Sequence, residues 1–345
     1  MSIIESVNTS LIPLVSLDTH EGTHTPLRDQ HQRDFTYLRL SITDVCNYRC
    51  NYCLPDGYQC KDKTKPLSIS EIKTLITTFA KKGIKKVRIT GGEPSLRKDL
   101  PEIIRVIKET QGIETVALTT NGYKLQERVE SWVEAGLDSL NLSIDSLQPE
   151  LFKTITGQDR LAEIMAGLEK ALPLNLSSIK VNAVLLKTYN LNQFDDFLNW
   201  IKVTPISMRF IELMETSDNR EYFKANHVQG KDIQDRLEQS GWIEKLRGPH
   251  AGPAKEYTHP NYQGSVGLIM PYSKDFCKSC NRLRVSAFGK LHLCLFGEQG
   301  YDLRSHLNGN DLSEHLDHIL LNKSEGHELA QHQTGATKHL AMLGG

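Results

Sequence analysis

Six short apolar runs, at 36–42, 86–90, 115–119, 139–144, 179–186 and 206–213, alternate with stretches whose apolar residues return every three or four positions. Nothing else in the chain constrains its fold as much. Strand-length runs joined through helices imply parallel strands with right-handed crossovers. Six such units make an open, barrel-like α/β sheet, short of the roughly eight that close a full barrel. The first helical stretch carries Ile69, Ile72, Leu75, Ile76 and Phe79 on one face. Ser68 and Glu71 open it as a capping box, and Gly83 closes it. Leu125, Val129, Trp132 and Val133 mark a second helix, Leu161, Ile164 and Leu168 a third, and Phe194, Phe197, Leu198 and Ile201 a fourth.

After about residue 215 the rhythm breaks. A helical piece near 230–240, a strand at 265–270 and helices near 302–307 and 312–322 are expected there. The chain therefore divides into a tail, 1–35, expected to be disordered, a core, 36–215, and an extension, 216–345, ending in Gly344 and Gly345. Its polar, His-rich stretch 325–341 is expected to act as a flexible tether for that terminal pair.

Charge narrows the partners. Lys and Arg total 41 against 42 Asp and Glu, so the net charge of −1 argues against a nucleic-acid coat. Basic groups focused in one cleft remain compatible with a small anion. No run reaches the ~18 apolar residues of a membrane span. Glu5, Asp18 and Glu21 precede any Arg or Lys, unlike a secretory signal or a transit peptide, so no membrane contact and a cytoplasmic location are expected.

Seven cysteines in such a chain favour metal ligation over disulfides. Cys46-Asn-Tyr-Arg-Cys50-Asn-Tyr-Cys53 directly follows the first strand run. Three thiolates so close together can hold three irons of a cubane and leave the fourth open to substrate, as a catalytic metal site keeps an open position. A structural zinc site is the bland alternative, but no His occurs between His31 and His227. Cys60 is a candidate fourth ligand, though Pro55 and Gly57 intervene. The later group, Cys277, Cys280 and Cys294, again has three, with His292 as a candidate fourth ligand in a zinc-ribbon reading. Arg282 and Arg284, immediately after Cys280, point to one face of an extended segment and form a forked anion site.

The first spacing, with an aromatic before the last cysteine, is similar to that of radical S-adenosylmethionine enzymes. Gly91-Gly92-Glu93-Pro94, about forty residues on, agrees with it. From about residue 36 to 345, with the second triplet, Arg282, Arg284 and the terminal Gly-Gly, the chain resembles the GTP 3′,8-cyclase family. That resemblance implies a partial (β/α)6 TIM-like barrel whose C-terminal extension carries a second iron–sulfur cluster. It implies two [4Fe–4S] clusters, on Cys46, Cys50 and Cys53 and on Cys277, Cys280 and Cys294, with S-adenosylmethionine held by Tyr52, Gly92, Ser143 and Met214. GTP contacts are implied for Arg39, Arg88 (in Lys86-Val-Arg88), Thr119, Lys180, Arg282 and Arg284. Arg209 is implied to lie close to both ligands, and Gly344 and Gly345 to reach the radical chemistry. The family further implies an electron donor such as flavodoxin or ferredoxin, a downstream pyranopterin-forming enzyme and a homodimer. Two rivals stay open at this point: a peptide-modifying radical enzyme with an auxiliary cluster, and a non-catalytic iron–sulfur or zinc protein.

Overall fold

The computed structural model describes residues 26–59, 64–248, 251–297, 300–309, 311–335 and 340–343, with Ala341 and Met342 as backbone only. Cys60, His339, Gly344 and Gly345 lie outside the described residues. Strands β1 (Tyr37–Ser41), β2 (Lys86–Thr90), β3 (Thr115–Thr120), β4 (Ser139–Ser143), β5 (Ser178–Leu185) and β6 (Ser207–Glu212) lie side by side in chain order, each parallel to the next. All six fall within one residue of the expected runs.

The two-residue strand period sorts these strands chemically. Leu38, Leu40, Val87, Ile89, Val116, Leu118, Leu140, Leu142, Val181 and Phe210 are fully buried in one core with the helices. Each such side chain contributes ~1.5–3 kcal/mol by leaving water. The alternate positions carry Arg39, Arg88, Thr119, Asn141, Lys180, Asn182 and Arg209. Register brings Arg39 beside Arg88, Thr119 beside Asn141 beside Lys180, and Asn182 beside Arg209. One face therefore holds the fold together and the other carries polar and basic side chains.

The core helices are α1 (Ile69–Lys81), α2 (Leu100–Lys108), α3 (Leu125–Glu134), α4 (Pro149–Thr156), α5 (Leu161–Ala171) and α6 (Phe194–Val203). Both arms of the Ser68–Glu71 capping box form at the start of α1. Helices α2 and α4, which the apolar faces picked out above do not include, each start with proline in the first turn, where its missing N–H costs nothing.

The extension lengthens the sheet. It contributes α7 (Arg220–Asn226), α8 (Gly230–Gln239), β7 (Ile243–Glu244), β8 (Lys255–Thr258), β9 (Ser265–Ile269), β10 (Arg282–Val285), β11 (Lys290–His292), β12 (Tyr301–Asp302) and α9 (Leu312–Leu320). Strand β9 joins β6 and β10 joins β1, both in parallel. The sheet therefore has twelve strands in the order β12-β11-β10-β1-β2-β3-β4-β5-β6-β9-β8-β7. The helix expected near 302–307 is a single 3-10 turn, Arg304–His306. Arg304 forks onto both Glu71 oxygens, at 2.7 and 3.0 Å, and so ties the extension to α1.

The disordered tail expected over 1–35 needs correction at 26–35. Leu27 and Phe35 are buried, and the Leu27 N–H donates to the Lys82 carbonyl at 3.1 Å. Two apolar anchors eight residues apart carry no periodic signal, yet they suffice to pin this segment. Among the described residues, no helix is long and apolar enough to cross a membrane.

Candidate active site

The first cysteine loop is built where β1 and β2 run out. The Gly92 N–H donates to the Thr43 carbonyl at 2.9 Å, and the Glu93 N–H to the Val45 carbonyl at 2.8 Å. A Cβ on Gly91 or Gly92 would meet the Thr43 or Val45 carbonyl oxygen at 2.2 Å, and Gly91 has a φ of +150°. Only glycine allows this approach to the loop leading into Cys46. Glu93 is buried and accepts from Ser95 N, Thr120 Oγ1 and Asn121 N, at 2.9, 2.6 and 2.6 Å. The Arg49 and Asn51 N–H groups donate to the Thr156 and Ile155 carbonyls at the end of α4, which holds the loop from its other side.

Cys46, Cys50 and Cys53 line one cavity with Tyr52, Gly91, Gly92, Ser143 and Asp145. The Tyr52 hydroxyl donates to Asp145 Oδ2, and the Val184 N–H to Asp145 Oδ1, both at 2.8 Å. Burial pushes the Asp145 carboxyl up to about 6. It also pushes the Cys46 thiol up to about 11 and Cys50 well above its ordinary value. Buried thiols of this kind become thiolates when a metal supplies the opposing charge. Three unbridged cysteines lining one cavity have the donor chemistry for an iron cluster with one iron unliganded by protein.

The second group sits at the ends of β10 and β11. Cys277 and Cys280 close a turn before β10, with the Cys280 N–H donating to the Cys277 carbonyl at 3.0 Å, and Cys294 follows β11. Arg33 braces this turn, donating to the Cys277 carbonyl at 3.1 Å and to the Ser324 carbonyl at 2.6 Å. Burial raises the Cys280 thiol, but Arg282 and Lys323 outweigh it and bring it down to about 7. These three cysteines also fit a cluster with an open iron. His292 lines neither cavity.

The second triplet shares a cavity with Arg39, Lys86, Arg88, Thr119, Lys180, Arg209, Met214, Arg282 and Arg284. Every residue expected to contact GTP therefore converges there. Tyr52, Gly92 and Ser143 line the cavity of the first triplet, whereas Met214 lines the second. Thr119, Asn182 and Ile211 line both, so the two cavities share a wall. Arg209 donates to Glu256 at 2.6 Å, and Gly267 opposite it on β9 leaves room for its stem.

Crowded cations make this cavity an anion site. Burial, then Arg209, Arg88 and Lys86, push Lys180 down to about 7. Burial, then Arg282, bring Arg284 to about 10, and burial with Arg284 holds Arg39 well below its usual range. Arg88 Nε, Thr119 Oγ1, Asn182 Oδ1 and Arg209 Nε are buried without a hydrogen-bond partner. The orphaned Arg88 and Arg209 Nε–H donors, among self-repelling cations, are relieved by a bound polyanion. Asn182 and Asp145 escaped the sequence reading. Asn182 stands two residues beyond Lys180 on the same face of β5, and Asp145 follows the end of β4 by two residues; these positions were the available signal.

The stretch expected to be a loose tether is pinned at points within 325–335, the rest of it being exposed. Leu329 is fully buried, and His332 meets Glu215 at 2.6 Å. Leu295, Phe296, Leu329, Leu340 and Leu343 form a small apolar cluster against Tyr52, Cys53, Met214 and Cys294. The last described residues thus lie between the two cysteine groups.

Residues 40–201 match the Radical SAM superfamily, and residues 206–329 match Molybdenum Cofactor Synthesis C. The chain is 52% identical over 330 residues to a GTP 3′,8-cyclase of Aeromonas hydrophila, covering 93% of this chain and 96% of that one. A GTP 3′,8-cyclase of Vibrio cholerae is 52% identical over 324 residues, covering 92% and 97%. Among solved structures, Streptococcus suis SuiB bound to S-adenosylmethionine aligns with a TM-score of 0.58 at 14% identity, over 92% of this chain and 76% of that one. The enzyme anSMEcpe with bound AdoMet and a peptide aligns with a TM-score of 0.52 at 13% identity, over 83% of each chain. At such identity these two share the fold alone. With half its residues identical over nearly the full length of both relatives, the chain belongs to the GTP 3′,8-cyclase family of radical S-adenosylmethionine enzymes.

Proposed function

We propose that this chain converts GTP into 3′,8-cyclo-7,8-dihydro-GTP, the first step of molybdenum-cofactor biosynthesis. The observation that carries this reading is the shared wall of Thr119, Asn182 and Ile211, which sets a cavity bearing one cysteine triplet against a cationic cavity bearing the other. Cys46, Cys50 and Cys53 hold one [4Fe–4S] cluster, and Cys277, Cys280 and Cys294 the second. With S-adenosylmethionine bound and one electron supplied, the first cluster would provide radical chemistry for removing a ribose hydrogen. Closure of the ribose carbon onto guanine C8 would then take a further electron and a proton to give the dihydro product.

The chain's own residues bind, orient and exclude. Tyr52, Gly92, Ser143 and Met214 hold S-adenosylmethionine, with Asp145 fixing the Tyr52 hydroxyl. Arg39, Arg88, Thr119, Lys180, Arg282 and Arg284 hold GTP, and Arg209 stands close to both ligands. Their fixed positions on strands hold the reacting atoms together, which replaces a chance encounter with a preset geometry. Gly344 and Gly345 take part in the reaction. In this scheme 36–215 is the radical-generating core and 216–345 the extension that closes it and carries the second cluster. Flavodoxin or ferredoxin supplies electrons, a pyranopterin-forming enzyme takes the product, and the chain works as a homodimer in the cytoplasm.

The test is anaerobic incubation of iron-reconstituted protein with GTP, S-adenosylmethionine and dithionite. Methionine, 5′-deoxyadenosine and cyclised nucleotide are expected together. Cleavage of S-adenosylmethionine that never depends on GTP would remove GTP as the substrate.

A further inference from the structure

Lys323 stands three residues beyond the end of α9 and is only 4% exposed. Its backbone N–H donates to the Leu320 carbonyl at 3.0 Å, so the turn that closes the helix also carries the side chain inward. The ammonium donates to the carbonyl of Leu293, the residue before Cys294, and lies 5.4 Å from the Phe35 ring centroid. A carbonyl oxygen and a ring face both favour the charged amine. Burying that charge is costly unless an opposite charge faces it. Among the described residues no carboxylate pairs with Lys323. Arg33, beside it, is different, because Asp29 meets its charge at 2.6 Å. Burial lowers the Lys323 ammonium from its ordinary value, and the Cys280 and Cys294 sulfurs, once ionised, pull it back up against Arg33 and Arg282. The cysteine sulfurs are thus the charge that Lys323 is buried against.

Its place relative to the cavities separates it from the other cations. Arg282, with Nη2 3.9 Å from Cys280 Sγ, lines the cationic cavity and shares its charge with whatever binds there. Lys323 lines neither cavity, so its charge stays with the cysteine group. The potential of an iron–sulfur cluster follows its net charge, the hydrogen bonds to its sulfurs and its exposure. A cation fixed beside it stabilises the form that carries one more electron. We propose that Lys323 is the fixed counter-charge of the second cluster, favouring its one-electron reduced form whether or not substrate is bound. The electron comes from an external low-potential donor, and Lys323 keeps its proton throughout. This inference rests on the two-cluster reading above.

Lys323→Gln keeps a donor for the Leu293 carbonyl and removes the charge, whereas Lys323→Arg keeps the charge. Iron-reconstituted full-length parent and variants would be titrated anaerobically with dithionite, with and without GTP, and both clusters followed by electron paramagnetic resonance. The signals lost in Cys50→Ala and in Cys280→Ala tell the two clusters apart. Iron and sulfide content would be recorded alongside. In Lys323→Gln the reduced-to-oxidised ratio of the second cluster at a fixed potential should fall roughly tenfold, a midpoint lower by about 59 mV for one electron. The same fall is expected with GTP present, while iron content and the first cluster's midpoint stay at parental values. Lys323→Arg should remain near the parent. A parental midpoint in Lys323→Gln overturns the proposal, and so does an equal fall in Lys323→Arg, since fit and not charge would then set the potential. Loss of iron from the second site in Lys323→Gln overturns it too, because Lys323 would then be structural. Should the parent cyclise GTP while Lys323→Gln keeps the parental midpoint, only this inference falls. A parent whose second site takes up no iron brings down the two-cluster reading and this inference with it.

Discussion

Arg284 Nη1 donates to the Leu343 carbonyl at 3.3 Å, joining a strand beside the second cysteine group to the last described residue of the chain. Arg284 is half-buried on β10, whose neighbour β1 carries Arg39 in register with it. Leu343 packs in the apolar cluster that touches Cys53 on one side and Cys294 on the other. A chain end is normally frayed and dispensable. Here Leu343 is anchored by that bond and packs against both cysteine groups.

Deleting Gly344 and Gly345 should therefore leave thermal stability and iron content unchanged while severely reducing cyclised product. The anchor at Leu343 remains in the truncated chain, so folding has no reason to suffer. Product formation equal to the full-length protein would show that the terminal pair contributes nothing to the reaction.

The two triplets should separate in mutants. Cys50→Ala leaves two ligands in the first site and should abolish 5′-deoxyadenosine formation. Cys280→Ala leaves the first cavity intact and should abolish cyclised product while S-adenosylmethionine cleavage persists. Chromatographic assay of both products in each variant checks the pair, and parental turnover by Cys280→Ala would reduce the second site to a structural one.

Arg282→Ala and Arg284→Ala should each weaken GTP binding. A hydrogen bond to a charged group typically contributes ~1.5–3 kcal/mol, roughly ten- to a hundredfold in affinity. Arg284→Ala should also release the tail, so its effect on turnover should exceed its effect on binding. Unchanged GTP affinity in the double variant would take both residues out of the site.

Lys180 gives the site a pH dependence. Burial, then Arg209, Arg88 and Lys86, lower it to about 7 in the empty cavity. A triphosphate favours the charged ammonium, so binding raises this value and takes up a proton at pH values above 7. GTP affinity should consequently fall as pH rises through about 7 and beyond, and Lys180→Met should flatten that part of the profile. Calorimetry in buffers of different ionisation enthalpy measures the uptake directly. Proton release, or a profile unchanged in Lys180→Met, would contradict this assignment.

Much of the fold and much of the site were legible in the sequence, for different reasons. The six core strands declared themselves because Leu38, Val87, Leu140 and their neighbours are buried in runs bounded by turn residues and separated by amphipathic helices. The cysteine spacing and the Arg282–Arg284 alternation were visible because their geometry is local. Strands β11 and β12 were not, because two or three residues carry no periodicity and exist only through pairing with β10 and with each other. The packing of 26–35 and of His327 was hidden for a similar reason. Arg33 on Ser324, and His327 between Phe276 and Phe296, are long-range contacts by single residues in otherwise polar segments.

The most direct test of the account asks where the adenosyl radical takes its hydrogen. Reconstituted protein would be incubated anaerobically with S-adenosylmethionine, dithionite and GTP deuterated at the ribose 3′ carbon, and the 5′-deoxyadenosine analysed by mass spectrometry. The cavities' shared wall at Thr119, Asn182 and Ile211 predicts one deuterium in 5′-deoxyadenosine, formed together with cyclised nucleotide. Unlabelled 5′-deoxyadenosine accompanying cyclised product would contradict the proposed contact between the two ligands.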